Sequence, residues 1–149
     1  MKITTTRKLK DKETQRILKL ETIMESMKKE AKNGFISKLC EVVKNHPAYN
    51  PNEEIKKLSQ VIFASVFDNK DNSSVFKTYN GLVLITITRL KNIKEAISVR
   101  QKAVNLPQTM AAFIGTTGRM VNIIIPFRRP DGSLPQTQEE AEVFHAHAY

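Results

Sequence analysis

A chain of 149 residues, 40% hydrophobic and 26% charged, has the size and composition of one globular unit, and no apolar run approaches the roughly 20 residues that cross a bilayer. That excludes a membrane-spanning helix and makes a membrane partner unexpected. The formal charge of +9 points to a polyanionic partner, nucleic acid first, because lysines and arginines that neutralise phosphates release counterions.

The basic N-terminus has no apolar segment behind it, so it does not read as a secretory signal. The single cysteine, Cys40, cannot form an internal disulfide and lacks the companions of a zinc site, which fits a cytoplasmic location. Residues 3–7 (ITTTR) are β-branched and alternate, and predict a short strand. Residues 8–12 form a charged connection. Apolar residues then recur at helical spacing from Ile17 to about Glu30, predicting one helix with a single apolar stripe in which Met24 and Met27 are core fillers. Asn33-Gly34 breaks it, and Phe35 to Val43 forms a second helix ending before His46-Pro47.

Residues 47–52 (PAYNPN) read as a loop and 53–58 as a short helical turn with Pro51 near its start. The run VIFASVF (61–67) suits one buried strand, DNKDNSS (68–74) a turn, and 75–78 a further strand, together a hairpin. LVLITI (82–87) is the strongest strand signal in the chain. Residues 93–104 have helical spacing, 110–114 and 121–125 are apolar runs, and Gly115-Thr116-Thr117-Gly118 joins them. Residues 82–125 therefore predict a split β-α-β unit whose last two strands form a hairpin beside the strand 82–87. FRRPDGSLP (127–135) predicts a loop that projects from the sheet. Thr137 and Glu140 make a capping box for a closing helix. The chain is read as a single domain, 1–149; its stop at FHAHAY, mid-helix by pattern, leaves two readings open, the N-terminal part of a longer chain or an excised domain.

The turn Gly115 to Gly118, followed by Arg119, could cradle phosphate on backbone amides, although a tight hairpin turn needs the same residues and neither the Walker pattern nor GxGxxG is present. His145 and His147, two apart, fall on different sides of a helix and do not make a metal site. No nucleophile elbow supports serine catalysis. Arg128 and Arg129, beside Phe127, are candidates for phosphate contact and base stacking.

Five segments carry a family resemblance: YNGLVLITI (79–87), AFIGTTGRMVNI (112–123), Pro126-Phe127, LPQT (134–137) and FHAHAY (144–149). The chain resembles the N-terminal domain family of VirE-type proteins from Bacteroides-like mobile elements, over most of its length and most specifically from Tyr79 onward. That family is similar to the archaeo-eukaryotic primase and primase-polymerase superfamily and is often joined to a helicase-like ATPase. The resemblance implies an α+β fold with a mixed or mainly antiparallel sheet and a primase-type RRM-like core. It also implies a role on nucleic acid, DNA ahead of RNA, in replication or transfer of a mobilizable transposon, with a helicase-like partner.

In the superfamily an acidic pair with one residue between holds divalent metal against the nucleotide triphosphate. Here Thr86 and Thr88 occupy those positions, and Asn122 stands where a phosphate-contacting basic residue is expected. The expectation is a catalytically degenerate nucleotide site (Thr86, Thr88, Gly115, Thr116, Thr117, Gly118, Asn122) with no metal, cofactor or catalytic residue. Lys91, Arg100, Arg119, Phe127, Arg128 and Arg129 are its nucleic-acid contacts. The alternatives are an active primase or nucleotidyltransferase with displaced ligands drawn from Asp68, Asp71 or Glu95, and a domain that docks a helicase-like partner. Convergence of Arg119 and Arg128 beside Thr86 and Thr88 would favour binding; scattered cations would favour docking.

Overall fold

The computed structural model describes residues 1–9, 12–46, 48–70 and 73–149. Among them the order is β1 (Lys2–Leu9), β2 (Lys12–Lys19), α1 (Leu20–Asn33), α2 (Phe35–Asn45), α3 (Asn52–Lys56), β3 (Gln60–Ile62), β4 (Ser65–Lys70), β5 (Ser73–Tyr79), β6 (Leu82–Ile87), α4 (Ile93–Val104), β7 (Ala111–Ile114), β8 (Val121–Pro126) and α5 (Gln138–Ala146). This is an α+β fold with antiparallel pairing throughout, arranged in three small sheets of order β2-β1-β3, β4-β5 and β6-β8-β7.

The third sheet is the split β-α-β unit expected from sequence. β8 lies between β6 and β7, with Thr86 opposite Asn122 on one side and Phe113 opposite Asn122 on the other. Its period-2 alternation feeds two cores. Ile124 joins Ile3, Leu20, Ile23, Phe63 and Leu82, while Val121 and Ile123 pack with Ala96 and Ala103 of α4. The small residues of α4 let the helix lie close on the sheet.

Several sequence expectations are corrected. The helix expected from Ile17 begins at Leu20, because Lys12 to Lys19 pair along β1 as a strand, and Ile17 and Leu18 lie exposed on it. Pairing with a neighbouring strand overrides a spacing that fits a helix equally well. The single strand expected over 61–67 is broken at Phe63-Ala64 into β3 and β4, since the carbonyls of both residues accept hydrogen bonds from Asn80. Residues 68–70, expected in a turn, extend β4; residues 71 and 72 lie outside the described residues.

The loop after β8 does not project along its whole length: residues 130–133 are exposed, but its end folds back on the sheet. Pro135 is buried, and Leu134 packs so closely on Gly81 that an added Cβ would lie 2.6 Å from its Cδ2; Gly81 also has φ +65. Nor does the chain run on as helix past Ala146. The last turn tightens through His147 and Ala148 amides onto Phe144 and His145 carbonyls, and the Tyr149 hydroxyl folds back to donate to the Leu84 carbonyl at 3.0 Å.

Asn80 joins the three sheets. Its Nδ2 donates to the Lys2 carbonyl at 2.9 Å and the Phe63 carbonyl at 3.1 Å, and its backbone N–H to the Ala64 carbonyl at 2.6 Å. Replacing Asn80 with Ala strips two carbonyls of their donor and is expected to destabilise the fold by about 2–3 kcal/mol. Urea denaturation should show a lower midpoint with an unchanged slope. A loss within about 0.5 kcal/mol, the range of neutral surface substitutions, would refute the role assigned to the carboxamide.

Candidate nucleic-acid interface

The β7–β8 turn is built from its own backbone. Gly115 N–H donates to the Met120 carbonyl at 2.9 Å, Gly118 N–H to the Gly115 carbonyl at 3.0 Å, and Arg119 N–H to Thr117 Oγ1 at 3.4 Å. Gly118 needs glycine for its φ of +69. Three amides that a phosphate cradle would use are thus committed within the turn, so the hairpin requirement accounts for the glycines. On the outside of the turn, the Cys40 thiol of α2 meets the Thr116 carbonyl at 2.9 Å, and its burial pushes the thiol pKa up, keeping it protonated as a donor.

Beside the turn, Thr86 Oγ1 donates to Asn122 Oδ1 at 2.9 Å across the β6–β8 pair. The resemblance places acid and base here, whereas the structure has a neutral pair that satisfies itself. Thr88 follows exposed beyond the end of β6. The Leu90 N–H donates to the Arg119 carbonyl at 3.1 Å, and Ile93 Cδ1 lies 3.4 Å from where a Cβ on Gly118 would sit. These contacts bring Arg89, Lys91, Lys94 and Arg119, all exposed, to one end of the sheet. Arg89 holds a left-handed φ of 61, rare for a side-chain-bearing residue.

The N-terminus of α4 is filled by its own chain. Asn92 Oδ1 accepts from the Glu95 N–H at 3.0 Å, and the Glu95 carboxylate accepts from the Lys91 N–H at 2.6 Å. Glu95, a candidate displaced metal ligand, therefore serves as a cap. Asp68 sits on β4, 3.8 Å from Lys77 Nζ, and Asp71 lies outside the described residues. No three His, Cys, Asp or Glu side chains gather as a metal-binding group among the described residues.

The other candidates are elsewhere. Arg119 and Arg128 flank opposite ends of β8, whose six residues separate them by about 20 Å at the usual strand rise. Arg100 is half-buried on α4, its Nε without a hydrogen-bond partner. Phe127 is stacked on Phe144, centroids 4.6 Å apart, and Arg129 lies over the Phe144 ring at 5.7 Å while pairing with Glu140 at 3.5 Å. Phe127 and Arg129 are thus engaged in docking α5, and Arg128 is exposed at that end.

Sequence reasoning missed Arg89 and Lys94 at the turn end, and the aromatic set of Tyr79, Phe144, His145 and Tyr149. Tyr79 is almost fully buried, and its hydroxyl meets His145 Nδ1 at 2.9 Å. Burial raises the Tyr79 pKa, with the nearby Tyr149 adding to it, and lowers that of His145. Both shifts favour the neutral pair, in which the tyrosine donates to the imidazole. The density of aromatics and histidines in FHAHAY was the available signal. An open groove of about 560 Å³ runs along α5 and includes Arg129, Glu140, Phe144 and His147.

A family model described as BT4734-like, N-terminal domain, matches residues 53–149, from α3 to the end of the chain. No curated protein and no solved structure matches.

The Tyr79–His145 pair sets a pH dependence. A His whose folded pKa is lowered stabilises the fold above its ordinary value of 6.5, and that contribution is lost as pH falls through the folded value, because the unfolded chain takes up the proton first. Denaturant unfolding should show stability falling from about pH 7 to pH 5, with a shallower fall in His145→Gln. The NMR titration of the His145 ring should have its midpoint below 6.5; a midpoint above it would reverse the sign.

Proposed function

The chain belongs to the BT4734-like N-terminal domain family, and we propose that it is a nucleic-acid-binding, catalytically degenerate domain. The observation that carries this reading is the grouping of Arg89, Lys91, Lys94 and Arg119 around the neutral Thr86–Asn122 pair. Thr86 and Asn122 satisfy each other, Glu95 is committed to the α4 cap, and no ion pair among the described residues involves these four cations. A phosphate backbone supplies the missing negative charge. The resemblance to VirE-type N-terminal domains and to primases supports a setting in mobile-element replication or transfer, on DNA, alongside a helicase-like ATPase. Two neutral hydroxyls at the positions of the acidic pair support loss of metal-dependent nucleotide transfer.

A second reading, docking of that helicase-like partner, is favoured by the exposed stripe Ile93, Ile97 and Val104 on α4 and by the separation of Arg128 from Arg119. A pull-down with the ATPase that survives Arg89→Ala, Lys91→Ala and Arg119→Ala together but is lost in Ile97→Glu would select docking.

Fluorescence anisotropy with labelled single-stranded and duplex DNA, at about 50 and 200 mM salt, tests the first reading. Binding should weaken steeply with salt, and the triple variant at Arg89, Lys91 and Arg119 should bind about tenfold or more weakly at the lower concentration. Absence of binding to either DNA at the lower salt would sink it.

A further inference from the structure

Residues 2–19 hold seven cationic side chains against two acidic ones, a net +5 of the chain's +9 in 18 residues. Within this stretch Lys2–Leu9 and Lys12–Lys19 form the β1–β2 ribbon, which lies wholly outside the 53–149 segment that matches the family. β3 pairs only with Thr4 to Thr6, so beyond residue 6 β1 has β2 as its sole strand partner among the described residues.

We infer that this ribbon is a phosphate-contacting arm for double-stranded DNA, separate from the turn end of the third sheet; the inference rests on the nucleic-acid reading above. The base of the arm is fixed. Ile3 is fully buried in the core, and Thr4 Oγ1 accepts from the Phe67 N–H at 2.8 Å and lies 3.3 Å from the Phe67 carbonyl. Further along, Gln15 Nε2 donates to Ser74 Oγ at 3.2 Å. An arm held this way presents its cations without losing much conformational freedom on binding.

Register places like charges together. Lys2 lies directly opposite Lys19, a cross-strand arrangement that repels, and Arg16, opposite Thr5, is the diagonal neighbour of Arg7 on the other face. All four are exposed, and no ion pair among the described residues involves Lys2, Arg16 or Lys19. A bridging phosphate converts the Lys2–Lys19 repulsion into attraction. Exposed cations on both faces, Lys2 and Lys19 on one and Arg7 and Arg16 on the other, suit duplex over single strand, because a duplex offers two phosphate strands to them at once.

The test compares wild type, a ribbon variant (Lys2→Gln, Arg16→Gln, Lys19→Gln) and the turn-end triple alanine variant on a short labelled duplex and its single strand. The logarithm of the association constant is followed against the logarithm of salt. Glutamine keeps the aliphatic stems, and thermal melting checks the fold. The duplex slope of the ribbon variant should be shallower than wild type by about 2–3, one phosphate contact contributing roughly 0.9. If the triple change unfolds the protein, Arg16→Gln alone should reduce the slope by about 1. An unchanged slope with wild-type affinity, while the turn-end variant loses binding, overturns the ribbon and leaves the nucleic-acid reading standing. A reduction seen only on the single strand overturns the duplex assignment. Failure of wild type to bind either DNA overturns both.

Discussion

The fold depends on one buried carboxamide. β5 and β6 are consecutive and separated by two residues, and a strand signal as strong as LVLITI would by itself continue into the sheet before it. Asn80 prevents this by taking up carbonyls from β1 and from the break between β3 and β4, while Gly81, at φ +65, redirects the chain so that its own carbonyl accepts from the Phe127 N–H at 2.8 Å. Burying a carboxamide is costly unless its donors are used, and here both Nδ2 bonds go to carbonyls left without a ladder partner by the same break. The first sheet, the hairpin and the third sheet consequently meet at one residue.

That junction also sets the direction of the third sheet. It anchors the starts of β1 and β6 together, so the third sheet runs from Asn80 toward the β7–β8 turn, where Thr86, Asn122, Arg89, Lys91, Lys94 and Arg119 gather. The chemistry there follows from one substitution of type. A carboxylate pair on this strand would demand cations or metal to offset its charge; a Thr–Asn hydrogen bond demands nothing. Cations around a neutral pair leave a local positive potential that no ion pair among the described residues offsets.

Legibility from sequence tracked locality. β6, α4, β7 and β8 were readable because each carries its own period and is bounded by its own turn, NG before β6 and GTTG between β7 and β8. The start of α1 was not, since Ile17, Leu18, Leu20 and Ile23 satisfy helical spacing and only pairing with β1 assigns the first two to a strand. The break at Phe63-Ala64 was invisible because its cause, Asn80, lies 17 residues downstream of Phe63. Within the candidate site, the separation of Arg119 from Arg128 was available once 121–126 was read as a strand, for residues flanking a strand lie at opposite ends of it. The approach of Arg89 to Arg119 was not, because it needs the β6–β8 register and a left-handed arginine that no local pattern announces.

The distribution of charge adds a direction to the electrostatics. The segment after Arg129 is acidic, with Asp131, Glu139, Glu140 and Glu142 and no lysine or arginine, and most of these acids lie on α5. Arg129, paired with Glu140 and laid over Phe144, marks the boundary where positive charge is already spent on docking that helix. Charge is therefore divided across the fold, with acids concentrated on α5 and exposed cations at the turn end and on the β1–β2 ribbon. The neutral Tyr79–His145 contact lets α5 dock on the sheet without bringing further positive charge to that acidic face, because burial holds the imidazole pKa down and the tyrosine hydroxyl donates to the uncharged ring.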